Sequence, residues 1–545
     1  MVWATVMKFG NMMIKRVVRS NSMVADVALF VPVIVMKILF IASYPLNITG
    51  DGYNYYVKML LPGRGFLVHA DGYPFIMGMF LHNFQEFIAS RPVLFELCFV
   101  IFQHLLDLCV LIVLYVVIKR YDRFVAVFSL YYSGISVFYL SDVSSSTPVW
   151  MQSGLWIIFI ALLIRGWQSA DLSRLNWFYV LSVVVFMFAY LVRYNSFVLV
   201  LFYMVFLYLH VVKGTILKFV RNFLLGCVLS LVLFVIYLYG FHQPTTGTTD
   251  LHYDSGWVLM ARTNPLFSVG NGINSKRLSA LNGVLPEYFY YEPYYIDMWK
   301  NIEEVPASER VVYRDVYEHV MDLSNEELDL FMAVNPPLKT NDFVDYVLRV
   351  QYYIGLKEGD DLGRSAAVEA IRDQPGRYLF EALKKTLTFF PKNWNIYYIP
   401  SLEQIEEVAE LHKIERYGYV YYTVPYYSWN QQFRTVHNVS WFWVAGLNMI
   451  KSLAVNIGGA SIIVMSLGFS IGIYLIFIKK EKCGICLALL ILCGFTLLFK
   501  LASNLVWVFR PSELRAVYPL LGVSVGISIK LVWIKIDNAL RWLLR

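Results

Sequence analysis

The chain contains 545 residues, of which 58% are hydrophobic and only 16% are charged, and its formal net charge is +7. Soluble domains carry roughly 25% charged residues, so this composition excludes a cytosolic enzyme, a disordered scaffold and a nucleic-acid binder with a dense basic face. A mean hydropathy of +0.54 and an aromatic content of 17% are typical of a protein that crosses a lipid bilayer several times.

Ten apolar stretches have about the length needed to cross ~30 Å of hydrocarbon. The first is longer than the apolar core of a signal peptide and has no small-residue cleavage site after it, so we expect it to remain as a span. A stretch of mixed polarity at 73–89 is predicted to lie at the membrane surface. The predicted spans are 27–46, 93–118, 124–141, 149–165, 177–192, 196–212, 222–240, 458–478, 484–506 and 516–534.

The distribution of basic residues orients these spans. The two termini and four connections on the same side hold 19 Lys and Arg, whereas the short connections on the other side hold 6. Cytoplasmic loops carry an excess of Lys and Arg. Both termini are therefore predicted to be cytoplasmic.

One connection, residues 241–457, is far longer than the others and lies on the predicted external side. It holds 27 acidic and 19 basic residues, whereas the rest of the chain holds 12 acidic and 27 basic. The net positive charge thus belongs to the cytoplasmic rim and does not indicate a nucleic-acid partner. We predict an N-terminal transmembrane module at 1–240, a mixed but mainly helical external domain at 241–457, and a C-terminal transmembrane module at 458–545 with a cytoplasmic tail.

Acidic residues in the short external loops are candidates for catalysis. The first external loop, 47–92, carries Asp51 just beyond the first span, beside glycine and aromatic residues. A carboxylate there could accept a proton from a hydroxyl nucleophile, although Asp51-Gly52 could equally form a turn. Asp71-Gly72 presents the same two alternatives. Asp142 is the one charge of the second external loop, where it is either a helix cap or a second carboxylate of the same cavity.

Three external arginines depart from the charge pattern. Arg193 lies in a turn between two spans, and Arg510 and Arg515 lie in the last external loop. Arginine suits bidentate capture of phosphate oxygens, and a lipid phosphate would lie at this surface. The alternatives are an ion pair with Glu513 or snorkelling toward the interface.

Polar residues also occur inside the second predicted span. Their three-, four- and seven-residue spacings place several of them on one helix face. Such a stripe usually makes hydrogen bonds between helices, but it could also form a proton path. Lys37, in the first span, presents a similar choice. The residues of the stripe are Glu96, Gln103, His104 and Asp107.

Taken in order, these motifs resemble the GT-C superfamily of membrane glycosyltransferases. The nearest likeness is to bacterial protein O-mannosyltransferases and the aminoarabinose transferase of lipid A. Four segments carry the resemblance, and it covers the N-terminal membrane half best. They are Asp51-Gly52-x-x-Tyr55-Tyr56 followed by Gly72-Tyr73-Pro74, the Arg193-Tyr194-Asn195 turn, the Ala366–Lys385 stretch with its Pro375-Gly376, and Arg510…Arg515-Ala516-Val517-Tyr518-Pro519.

The resemblance implies an all-α, GT-C-like bundle of about ten transmembrane helices with interfacial helices, in the plasma (inner) membrane of a bacterium. It implies transfer of a sugar from a polyprenyl-phosphate donor to a glycan, lipid or protein acceptor, on the outer face and with inversion. Asp51 would be the general base and Asp142 would orient the acceptor or a metal. Arg193, Arg510 and Arg515 would bind the donor phosphate.

The same resemblance places four further residues in substrate binding: Tyr55, Asp71, Tyr73 and Tyr518. It leaves open whether a divalent metal takes part, because Gly52 stands where many members carry a second acidic residue. No other cofactor is expected.

Three other classes of protein stay open: an O-antigen polymerase or ligase, a transporter, and a non-enzymatic membrane scaffold. An O-antigen polymerase or ligase would also have many spans, a large external loop and functional arginines, but its loop is usually basic. A transporter would show inverted repeats and broken helices at the membrane midplane, and the sequence shows no repeat.

Overall fold

The structure is a computed structural model, and it describes the residues whose ranges are given at the end of this paragraph. Among these residues it is mostly helical and contains no strand, which confirms the predicted all-α class. The described residues are 23–43, 72–81, 92–136, 139–140, 143–144, 148–169, 175–246, 256, 259–260, 263–286, 307–337, 344–387, 464–478, 487–496, 499 and 517–543.

Eight helices form the N-terminal half of the bundle. A 3₁₀ turn, Tyr194–Leu199, leads into the seventh, and a π turn, Leu238–His242, follows the eighth. The helices are α1 (Met23–Ser43), α2 (Gly72–Leu81), α3 (Pro92–Lys119), α4 (Arg123–Gly134), α5 (Val149–Gln168), α6 (Trp177–Val192), α7 (Val200–Val212) and α8 (Ile216–Tyr237).

Among the described residues, six helices of ten or more residues follow in the segment predicted to be external, and three more lie near the C-terminus. The external helices are α9 (Ile273–Val284), α10 (Ala307–Asp322), α11 (Asn325–Val334), α12 (Val344–Tyr353), α13 (Leu356–Asp373) and α14 (Pro375–Leu387). The C-terminal helices are α15 (Val464–Ile476), α16 (Leu487–Thr496) and α17 (Tyr518–Leu543).

Local sequence signals explain several helix starts. The Asp122 carboxylate accepts the backbone N–H of Val125 at 3.0 Å and caps α4. Asn176 caps α6 in the same way. Pro92 opens α3, where its missing N–H costs nothing. These caps satisfy N–H groups that have no partner inside the helix.

Five described helical segments are long and apolar enough to cross a membrane: Leu97–Lys119, Val149–Gln168, Tyr194–Val212, Ile216–His242 and Tyr518–Asp537. Four of them, all but Val149–Gln168, expose large apolar side chains, as lipid contact requires; on α8, Leu217 is 82% exposed. The structure therefore confirms a membrane protein with several spanning helices. A total of about ten spans and a GT-C arrangement stay predictions.

Two apolar cores hold the bundle together. One joins α5, α6 and α7 to the start of α17, around Trp156 and Phe159, which are fully buried. The other joins α1, α3, α4 and the middle of α17, around Leu111 and Leu130. Helix α17 contributes to both cores, so the C-terminal part of the chain packs against the N-terminal half.

A third core consists only of residues between Leu259 and Tyr378. It packs α9 against α12 and α13, with Leu278, Val347 and Ala366 fully buried. The sequence also predicts helical patches at 303–322 and 366–390; α10 lies within the first, and the end of α13 and all of α14 lie within the second. The domain boundaries at 240 and 457 stay predictions.

One helix is shorter than predicted. Helix α4 ends at Gly134, whereas a span was predicted over 124–141; its 12 residues extend for about 18 Å, too short to cross the hydrocarbon alone. Of the helix predicted at 73–89, the structure describes the part up to Leu81, and Gly72–Leu81 is helical.

Candidate functional site

Three of the predicted site residues, Tyr73, Arg193 and Tyr518, lie within the described part of the chain. The other six lie outside it, so their predicted roles stay predictions. These six are Asp51, Tyr55, Asp71, Asp142, Arg510 and Arg515.

Tyr73 lies in the first turn of α2 and is completely buried. Its hydroxyl accepts a hydrogen bond from Nε2 of Gln103 on α3 at 3.0 Å. The Trp150 ring, from the first turn of α5, meets the Tyr73 ring edge-on, with centroids 6.4 Å apart. Three elements thus fix the position of this tyrosine.

Gly72 allows α2 to approach the end of α6. A Cβ atom added to Gly72 would lie 2.4 Å from the carbonyl carbon of Leu191, closer than real Cβ contacts come. Only glycine therefore permits this approach. The contact places the start of α2, with Tyr73, beside the C-terminal end of α6, where Arg193 follows.

Arg193 is the first residue beyond α6, and its backbone is extended. Its N–H donates to the carbonyl of Ala189 at 3.0 Å and closes the helix. Nε2 of Gln152, on α5, donates to Oγ of Ser196 at 3.0 Å, and Nε1 of Trp156 donates to the same oxygen at 2.9 Å. Buried side chains of α5 thus fix the Arg193 turn.

Tyr518 begins α17 and is 8% exposed. Its ring stacks on the Tyr132 ring of α4 at 4.8 Å and, nearly parallel, on the Tyr139 ring at 6.3 Å. The Tyr139 hydroxyl in turn donates to Oδ1 of Asp107 at 2.8 Å. Tyr518 is therefore linked to the polar stripe of α3 through one aromatic neighbour.

The strongest electrostatic interaction in this region is an ion pair between α1 and α3. Nζ of Lys37 lies 2.5 Å from Oδ2 of Asp107, and both side chains are almost completely buried. With Tyr139 on its other oxygen, the carboxylate has a donor for each oxygen. Opposite charges inside apolar helices are costly unless paired in this way.

His104, one turn before Asp107, holds Ser144 of the loop that was predicted to be the second external one. Its Nε2 lies 2.9 Å from Oγ of Ser144, and both residues are about 2% exposed. Ser144 follows the predicted catalytic Asp142 by two positions. We call the group of Lys37, Gln103, His104, Asp107, Tyr139 and Ser144 the buried polar cluster.

The interpretation of the α3 stripe as a source of interhelical hydrogen bonds is confirmed for Gln103 and Asp107, whereas His104 bonds to Ser144 in a connection between helices. Sequence reasoning singled out Lys37 but did not pair it with Asp107, and it did not select Tyr139. The available signal was the presence of one cation and one anion inside neighbouring apolar stretches.

A metal site is not defined by these residues. Within the described residues, no group of three or more His, Cys, Asp and Glu side chains is arranged to hold a metal ion. Asp142, which was expected to orient the acceptor or a metal, lies outside those residues. We therefore derive no step through a metal.

The chain matches no protein-family model, no curated protein and no solved structure. The likeness to GT-C glycosyltransferases therefore depends on the short motifs of the sequence, and the functional argument depends on the arrangement of side chains described above.

Proposed function

We propose that the protein is an integral-membrane glycosyltransferase of the GT-C type. It transfers a sugar from a polyprenyl-phosphate carrier to a hydroxyl group of a cell-surface glycan, lipid or protein, on the outer face of the plasma membrane of a bacterium and with inversion. The lipid bilayer holds both the enzyme and its donor.

The observation that carries the proposal is the convergence of Tyr73 and Tyr518 on the buried polar cluster. These tyrosines are 445 positions apart, and each was predicted to contact substrate. Tyr73 binds Gln103 and Tyr518 stacks on Tyr139, so both contact members of one cluster.

The segments that carry the predicted catalytic residues adjoin this cluster in sequence. Asp142 lies between two of its members, Tyr139 and Ser144. Arg510 and Arg515 precede Tyr518 by eight and three positions. Only a few residues separate Asp142, Arg510 and Arg515 from side chains whose positions are fixed. These short separations support a site at the end of the bundle where Tyr73 and Tyr518 meet the buried polar cluster.

Arg193 belongs to the same end, because the Gly72 contact brings the start of α2 against Leu191. A guanidinium here suits the oxygens of a lipid phosphate. Together with Arg510 and Arg515, it would place three cations beside the leaving group.

In the proposed reaction, the Asp51 carboxylate accepts the proton of the acceptor hydroxyl. The hydroxyl oxygen then bonds to C1 of the sugar while the bond from C1 to the phosphate oxygen breaks. The phosphate leaves with the electron pair, and Arg193, Arg510 and Arg515 stabilise its growing charge. Asp142 orients the acceptor.

The Lys37–Asp107 pair has no net charge and holds two helices of the bundle together. It joins α1, which leads into the loop of Asp51, to α3, which holds the loop of Asp142. Catalytic groups need such a rigid supporting layer to keep their geometry.

The test is mass spectrometry of surface glycans from cells that lack the gene and carry either the normal chain or Asp51→Asn. We expect the normal chain to restore a glycan component and Asp51→Asn to lose it at equal membrane abundance. Asp329→Asn, at a mostly exposed acidic residue of α11, is the matched control and should behave as the normal chain. Full restoration by Asp51→Asn would exclude Asp51 as the base.

One observation favours a transporter as the second candidate. His104 lies one turn from the Lys37–Asp107 pair, and its Nδ1 is buried with no hydrogen-bond partner among the described residues. Ionisable residues inside a membrane bundle often form proton paths. Protein in proteoliposomes would then acidify or alkalise the lumen when substrate is added, and Asp107→Asn would abolish that change.

A further inference from the structure

Helix α14 presents apolar side chains to its surroundings. Leu379 is 48% exposed, Phe380 63% and Leu383 41%. On another face, Ala382 is fully buried and Tyr378 packs against the external core. The helix is thus attached by one face and offers a second apolar face that the rest of the described chain leaves uncovered.

The residues around this face are arranged as in a helix that lies on a membrane. At 100° per residue, Leu379, Phe380 and Leu383 fall within an arc of about 100°. Arg377 and Lys384 lie together along one side of that arc, and both residues are exposed; Nζ of Lys384 also lies 3.7 Å from Oε1 of Glu381 on the same helix. A basic border beside an apolar arc matches the boundary between anionic headgroups and acyl chains.

A second helix of the same domain provides a contrast. On α11, Leu330 is 70% exposed and Val334 80%. Acidic residues surround them, however, with Glu326 and Glu327 in the first turn and Asp329 beside Leu330. Anionic lipid would repel this surface, so exposure alone does not define a bilayer contact.

We propose that α14 lies in the headgroup region of the bilayer, with Leu379, Phe380 and Leu383 inserted and Arg377 and Lys384 on anionic lipid. The contact would hold the external domain at a fixed angle to the membrane. The proposal does not depend on the glycosyltransferase function.

The experiment places a nitroxide label at position 380, through Phe380→Cys, in the full-length chain with its six native cysteines replaced. The protein is reconstituted in nanodiscs that contain phosphatidylcholine and phosphatidylglycerol. Collision of the label with oxygen, which concentrates in lipid, is compared with collision with a polar nickel chelate. Leu330→Cys is the matched control. We expect the oxygen-to-nickel ratio to be severalfold higher at position 380 than at position 330.

A second measurement keeps the native cysteines. A benzophenone amino acid replaces Phe380 or Leu330, and illumination of the nanodiscs should attach lipid to the chain at position 380 but not at position 330. Equal, nickel-accessible labels at the two positions would overturn the proposal. Low collision with both reagents at position 380, or cross-linking to protein in place of lipid, would overturn it as well and would indicate a second copy or another protein on this face.

Discussion

Lys37 on α1 and Asp107 on α3 form an ion pair in which Nζ lies 2.5 Å from Oδ2 and both side chains are nearly inaccessible to solvent. The pair lies between two mainly apolar helices, so each charge depends on the other. The Tyr139 hydroxyl donates to the other carboxylate oxygen of Asp107, and the Tyr139 ring stacks on the ring of Tyr518. The side chains of Lys37, Asp107, Tyr139 and Tyr518 thereby connect α1, α3 and the start of α17.

We expect Lys37→Met alone to be more destabilising than Lys37→Met combined with Asp107→Asn. Removing one partner leaves a buried charge uncompensated and costs about 3–5 kcal/mol. In the double variant the asparagine is neutral and still accepts the Tyr139 hydrogen bond. Chemical unfolding of the purified protein in detergent measures the difference, and simple addition of the two single effects would contradict the expected coupling.

The close approach of Gly72 to Leu191 gives a second prediction. Gly72→Ala should destabilise the protein by about 1–3 kcal/mol, because the added Cβ meets backbone atoms that have no alternative rotamer. Gly240→Ala is the control, since a Cβ there meets nothing within 4 Å. Chemical unfolding curves should show a lower free energy of unfolding for Gly72→Ala than for Gly240→Ala. A loss of equal size at both positions would mean that the Gly72 contact is unimportant.

Helix positions were the part of the fold most accessible from sequence. The predicted span 177–192 is observed as α6 with the same bounds, because Asn176 supplies a cap and an unbroken apolar run follows. Helix α4 shows the limit of such reasoning. It ends at Gly134, where a Cβ would lie 2.7 Å from a methyl group of Val33. That contact comes from a distant helix, so an apolar pattern alone did not indicate the end.

Only part of the candidate site could be predicted from the sequence, for a similar reason. Sequence reasoning identified Tyr73, Arg193 and Tyr518 as candidates from short motifs, and the structure links both tyrosines to one cluster. The pairing of Lys37 with Asp107 spans 70 positions and depends on the rotation of two helices about their axes. Apolar periodicity predicts that a helix exists but not which of its faces meets a given neighbour.

The hydrogen bonds of Gln152 should matter for activity through the position of Arg193. Gln152→Leu removes one of the two donors to Oγ of Ser196, which keeps its bond from Trp156, so we expect a cost of about 0.5–1.5 kcal/mol. We expect lower stability together with a large loss of sugar transfer. The control is Gln168→Leu, at an exposed residue of the same helix as Gln152. It removes a hydrogen bond to Tyr121 and should leave transfer intact. Normal transfer by Gln152→Leu would separate the Arg193 turn from function.

Arg515 provides the most direct test of phosphate recognition in the proposed reaction. Hydrogen bonds to a charged group contribute about 1.5–3 kcal/mol, so Arg515→Ala should raise KM for the polyprenyl-phosphate donor by roughly 10- to 100-fold. The KM for the acceptor should stay nearly constant. Arg515→Lys should recover only part of the loss, because an ammonium group lacks the planar fork that binds two phosphate oxygens. Arg541→Ala, in the predicted cytoplasmic tail, is the matched control. Equal increases in donor and acceptor KM for Arg515→Ala would assign this residue a general structural role in place of phosphate binding.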